Sequence, residues 1–120
     1  MTSQAITQAK ACLYKIVSVT IDRPLGSIHP EWGFVYPVNY GYIKNTLSGD
    51  GEPLDAYVLG VTTPCETFQG QCVAVIHRQN DDDDKLIVVP GGVRLTDADI
   101  RKYTHFQEQF FQIDIIREAD

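Results

Sequence analysis

Between Cys12 and Val89, Gly, Pro and Asp cut the chain into short runs rich in β-branched and aromatic residues. Side chains of that kind lose rotamer freedom in a helix and pack well on a pleated surface. CLYKIVSVTI, from Cys12 to Ile21, reads as a first strand. Pro24, Gly26, Pro30 and Gly33 then mark a loop that returns to the extended run Phe34-Val35-Tyr36. AYVLGV, QCVAVIHR (Gln71 to Arg78) and KLIVV (Lys85 to Val89) read as three more strands. Even spacing without intervening helices predicts an antiparallel barrel or sandwich, and a small sheet hides its edges best by closing. At 120 residues the chain has the length of one domain, so residues 1–120 are expected to form a single unit.

The period changes in the tail. Thr96 and Asp99 have the spacing of a capping box, and Tyr103, Phe106, Phe110 and Ile113 recur at intervals of three and four. One or two helices should finish the chain, with the aromatic stripe laid on the barrel.

Charge excludes some partners. The formal net charge is −6, with no Lys/Arg cluster, so nucleic acid and anionic membrane surfaces are not expected ligands. No apolar stretch approaches the roughly 20 residues of a membrane span. Cys12, Cys65 and Cys72 are odd in number and lack C-x-x-C spacing, and the first residues are polar, which points to a reducing, cytoplasmic setting. Cys72 alternates with Ala74 and Ile76 and is expected in the core.

The stretch NTLSGDGEPLDAYVLG (Asn45 to Gly60) sets Asp50, Glu52 and Asp55 within six residues. Carboxylates within about 4–6 Å raise one another's pKa, so convergence is stable mainly when a cation or shared proton offsets the repulsion. Oxygen ligands with no Cys or His favour Mg²⁺ or Mn²⁺ over zinc. An EF-hand is excluded because the loop lacks its Gly and terminal Glu. A second acidic group, Asp81 to Asp84, precedes Lys85 between two strands; alternation sends Asp81, Asp83 and Lys85 to one side and Asp82 and Asp84 to the other. A solvated turn is the alternative reading of both groups.

YPVNYGYIKNTLSGDGEPLDAYVLG resembles the central segment of the soluble family I inorganic pyrophosphatases, in which a YP-x-NYGY block precedes a D-G-D-P-x-D metal loop. The likeness extends to Asp22-Arg23 upstream and Asp83-Asp84-Lys85 downstream, covering roughly residues 16–90. It implies a five-stranded OB-type barrel with a C-terminal helix and Mg²⁺-dependent hydrolysis of diphosphate. It implies metal ligation by Asp50, Asp55 and Asp83, a general base at Glu52, and phosphate contacts from Arg23 and Lys85 beside an active-site tyrosine, Tyr40. The family is often oligomeric, so a homo-oligomer is expected.

Four departures stand out. No K-Y-E motif precedes the first strand, and Lys15 lacks its setting. The middle acid is Glu52, one methylene longer than Asp, which moves a base by about 1 Å, enough to matter ~100-fold in rate. HFQEQFFQ places Phe110 and Phe111 where the family has a Tyr-Lys pair. The turn before Asp83 is shortened, leaving Asp81 as the candidate for a further metal aspartate. His77 and Arg78, and less directly His29, are candidates for the missing cationic contacts. Two other functions remain open: hydrolysis of a nucleotide or organic diphosphate, and a weakly catalytic phosphate-binding or assembly module.

Overall fold

A computed structural model describes residues 4–46, 51–80 and 83–118. In chain order the elements are α1 (Gln4–Ala11), β1 (Ile16–Arg23), β2 (Asn39–Tyr42), β3 (Asp55–Val58), β4 (Thr67–Arg78), β5 (Asp84–Val89), α2 (Asp97–Glu108) and β6 (Ile113–Ile116). Among the described residues the sheet order is β1-β2-β3-β5-β4-β6, and a further β1–β4 pairing closes the first five strands into a barrel. This is the closed five-stranded architecture expected of an OB-type domain.

The 12-residue β4 makes closure possible. Its first part, Thr67 to Gln71, pairs with β1, and its last part, Val75 to Arg78, pairs with β6. Its other edge carries β5. A second close approach lies at Gly41, where an added Cβ would meet the Thr20 carbonyl oxygen at 1.9 Å. Only glycine lets β2 cross β1 there, beside the register shift between Ile21 and Arg23.

Two apolar clusters sit on opposite faces of the barrel wall. Val19, Ile21, Ala56, Val58, Cys72, Val75, Leu86 and Val88 fill the interior, with Ala9 of α1 and Leu13 just beyond it packed into the same cluster. Tyr40, Tyr57, Ala74, Ile76, Ile87 and Val89 face outward, covered by Ile100 of α2 and by the loop residues Phe34 and Tyr36. Strand alternation sorts these sets: Leu86 and Val88 point in, while Lys85, Ile87 and Val89 point out.

Several expectations need correction. The first strand begins at Ile16, because residues 12–15 form turns and Tyr14 has φ 64°. Residues 4–11 are helical although their polar sequence gave little sign of it. The β3–β5 pair is parallel. β5 returns from β4 by a hairpin and lies beside β3 after one strand of separation, so the two run in the same direction. The Thr96–Asp99 capping box is present, but α2 buries Ile100, Thr104 and Glu108. Of the expected aromatic stripe, Phe106 packs on the outer cluster, Tyr103 and Phe110 are exposed, and Ile113 belongs to β6. Glu108 has a partner in the wall, described next, and that bond sets the rotation of the helix.

Candidate active site

The site occupies the outer face of the wall, where β2, β3 and β5 lie side by side. Parallel registry pairs Asp55 with Lys85, and antiparallel registry pairs Tyr40 with Tyr57. Lys85, almost wholly buried, donates from Nζ to Asp55 Oδ2 at 2.6 Å, to Asp83 Oδ2 at 2.9 Å and to the Tyr40 hydroxyl at 2.9 Å. Asp55 and Asp83 come from turns 28 residues apart and converge on one ammonium.

Burial by itself would push the Lys85 ammonium down, but its contacts with Tyr40, Asp55 and Asp83 outweigh that and hold it above its ordinary value. Burial raises the Asp83 carboxyl, opposed by Lys85. Burial also raises the Tyr40 hydroxyl, so Tyr40 stays protonated. Lys85 is therefore held as an ammonium and Tyr40 as a neutral phenol.

Arg78 extends it. At the end of β4 it faces outward with Ile76, and its Nε and Nη2 donate to Glu108 Oε1 and Oε2 at 2.8 and 2.7 Å. Nη1 reaches Asp83 Oδ2 at 3.3 Å, and the guanidinium carbon lies 3.8 Å from the centre of the Phe111 ring. The Tyr57 hydroxyl donates to Glu108 Oε2 at 2.6 Å, Gln107 Nε2 donates to the Tyr57 hydroxyl, and the Tyr36 hydroxyl donates to Gln107. Burial, then the Glu108 charge, pushes Tyr57 well above the usual phenol range.

The sequence-derived set divides as follows. Asp55, Asp83, Lys85, Tyr40 and Arg78 meet at this centre. Arg23 is half-buried in register with Tyr40 and acts on the Tyr36 hydroxyl, at the edge of the group. Glu52 is exposed in the turn before β3. Asp50 and Asp81 lie outside the described residues. His77 does not join the centre: it shares the inward face with Val75 and bonds Asp84 through Nδ1 at 2.6 Å. Successive residues of β4 point to opposite sides, which sets His77 apart from Arg78. Alternation correctly separated Asp83 and Lys85 from Asp84.

Glu108, Gln107 and Tyr57 were not anticipated. The available signal was an acid in line with Ile100 and Thr104 on one helix face, which demands a buried cation. Trp32 was missed too. It stands beside a cleft of about 640 Å³ whose floor includes Tyr40, Lys85 and Arg78 and whose rim includes Trp32, Phe110 and Phe111.

Residues 14–115 match the family model described as inorganic pyrophosphatase. The chain belongs to the inorganic pyrophosphatase family. It is 39% identical over 75 residues to inorganic pyrophosphatase 1 of Pseudomonas syringae pv. tomato, a match covering 58% of this chain and 42% of that protein. It is 45% identical over 62 residues to the inorganic pyrophosphatase of Streptomyces coelicolor, covering 46% and 36%. The chain thus spans less than half the length of these curated relatives. The crystal structure of inorganic pyrophosphatase from Ehrlichia chaffeensis superposes with a TM-score of 0.67 at 20% identity, covering 89% of this chain and 88% of that one. That of the Thermus thermophilus enzyme gives 0.58 at 22%, covering 87% and 83%. The structural likeness carries the barrel fold.

Divalent-metal dependence is general in the inorganic pyrophosphatase family, which makes fit to a metal the next test. Asp55 and Asp83 offer hard oxygen donors aimed at one point, as the shared Lys85 contact shows. Among the described residues no three His, Cys, Asp or Glu side chains gather closely enough to hold an ion. Among the described residues Asp55 and Asp83 are thus the two carboxylates that an ion could share, and Asp50 and Asp81 lie outside them. No helix among the described residues is long and apolar enough to cross a membrane.

Proposed function

We propose that this chain hydrolyses inorganic diphosphate to two phosphates with Mg²⁺, or with Mn²⁺ in its place. The observation that supports this best is the convergence of Asp55 and Asp83 from separate turns beside Lys85 and Tyr40. Asp50, Asp55, Asp83, Asp81 and Glu52 would hold the ions. When bound, such ions would neutralise the phosphate chain and make water a better nucleophile near neutral pH.

The chain's own residues do the rest. Glu52, exposed in its turn, takes the proton of the attacking water as the new P–O bond forms and the bridging P–O bond breaks. Lys85, Arg23 and Arg78 offset the charge that develops on the leaving phosphate, and the protonated Tyr40 hydroxyl can donate to a phosphoryl oxygen. Arg78 reaches the site from α2's side of the cleft, so it takes part of the role that the sequence left without a lysine.

Residues 1–120 work as one domain in this reading, in the cytoplasm, with a homo-oligomer as the assembled form. Phosphate release from diphosphate with and without Mg²⁺ is the test. Purified folded protein that releases none at any metal concentration defeats the proposal. Glu52→Gln should lower turnover by about 100-fold or more while Mg²⁺ binding, read by calorimetry, stays mostly intact through the four aspartates. An unchanged rate removes Glu52 as the base.

A further inference from the structure

The cleft over Lys85 is built for more than two phosphoryl groups. At about 640 Å³ it falls within the roughly 300–1,000 Å³ of sites that enclose drug-sized ligands. Among the described residues its lining contains two cations, Lys85 and Arg78, and no Asp or Glu, although Asp55, Asp83 and Glu108 pair with those cations. Since Asp55, Asp83 and Glu108 outnumber those two cations, a phosphate chain would reach the floor together with the divalent ion of the reading above, with Lys85 and Arg78 as its protein contacts.

The rim is aromatic and open. Trp32 and Phe110 are 73% and 74% exposed, so both hold large apolar rings in water at the mouth of a charged cleft. They are anchored from below. His29 Nδ1 accepts from the backbone N–H groups of Glu31 and Trp32, at 3.1 Å each, which fixes the turn that presents Trp32. The His29 ring packs on Phe34, and Phe34 packs edge-on against Phe106 of α2, so the Trp32 turn rests on the same helix that leads to Phe110. Diphosphate has no group that could use such a rim. A planar ring joined to a phosphate chain has one.

We infer that the cleft takes a nucleoside di- or triphosphate, its base stacked at the Trp32–Phe110 rim and its phosphates directed to Lys85 and Arg78. Base–aromatic stacking tolerates any base, so selectivity among bases is weak. Turnover rests on the hydrolytic reading above: water adds to the terminal phosphorus, the bridging P–O bond breaks, and the nucleoside phosphate leaves with the bonding electrons while a site carboxylate takes the water proton. Binding does not rest on it.

Trp32 is the chain's single tryptophan and reports directly. The probes are adenosine α,β-methylene diphosphate, which resists cleavage, and methylenediphosphonate, which keeps the phosphates and lacks the ring. The nucleotide analogue should change Trp32 emission, and methylenediphosphonate should not. By calorimetry, Trp32→Ala and Phe110→Ala should each lower the ratio of nucleotide to diphosphonate affinity about 5- to 100-fold, with Phe110→Tyr restoring it. Both positions are largely exposed, so the variants should fold. An unchanged ratio overturns the inference, as does a concentration-dependent dimer that buries Trp32 and binds no nucleotide. Diphosphate hydrolysis on the same preparation keeps the two readings apart. Hydrolysis with no ring dependence removes only this inference, whereas ring-dependent binding without hydrolysis supports it and removes the catalytic reading.

Discussion

At Lys85 an ammonium almost fully out of water is held by two carboxylates and a phenol, and neither side of that arrangement is stable alone. Lys85→Met would leave Asp55 and Asp83 facing each other, and breaking a buried pair in this way costs about 3–5 kcal/mol. Urea unfolding should show that loss in metal-free buffer, and added Mg²⁺ should recover more stability in Lys85→Met than in the unsubstituted chain. Equal recovery in both would separate Asp55 and Asp83 from the ion. Cys72 gives a second prediction. Burial pushes its thiol from 9.0 up to about 12, so the folded chain keeps a proton that the unfolded chain releases. Its contribution is complete below pH 9 and disappears as pH rises toward 12, a loss of a few kcal/mol readable by unfolding at stepped pH. Thiol reagents at pH 8 should modify Cys72 only after unfolding. Asp55, Asp83, Lys85 and Tyr40 were legible as candidates because the family resemblance names them, and the Asp83–Lys85 side was also readable from strand alternation, which acts over a few residues. Glu108 was not, because its meaning depends on Arg78, 30 residues away in sequence.

At the scale of elements, α2 is held at its last turn by the buried Arg78–Glu108 ion pair as well as by apolar contact. Glu108→Leu would remove the bidentate partner of the Arg78 guanidinium and cost about 3–5 kcal/mol, while the double variant Arg78→Met, Glu108→Leu should lie much closer to the unsubstituted chain. A double-mutant cycle by urea unfolding measures the difference; additive effects would mean that the pair is not coupled. The helix start is a smaller contribution: Thr96→Ala removes the oxygen that accepts from the Asp99 N–H and should cost about 1 kcal/mol. That cap was visible in the sequence because it is a contact across three residues. By contrast, α1 is stabilised through Ala9 and the nearby Leu13 packing on a barrel that no local pattern reveals, and β6 forms because β4 offers an open edge from Val75 to Arg78. Both elements owe their existence to distant partners.

For the molecule as a whole, closure hangs on narrow places. Gly41→Ala would drive a methyl group into the Thr20 carbonyl, so β1 and β2 must separate, and a loss of several kcal/mol with reduced cooperativity is expected in thermal unfolding. Spacing showed four of the five barrel strands and missed β2, which lies at Asn39–Tyr42 rather than in the extended run Phe34 to Tyr36; the direction of β5 relative to β3 was not readable either, since it follows from which strands become neighbours after the chain has crossed over. That parallel registry has an outcome for folding fidelity. Shifting β5 by a single position against β3 would set either Asp84, an acid, or the apolar Leu86 opposite Asp55 in place of Lys85. Misalignment is thus penalised by the same charges that meet in the candidate site, so a chain that has proofread its barrel has already brought those charges together.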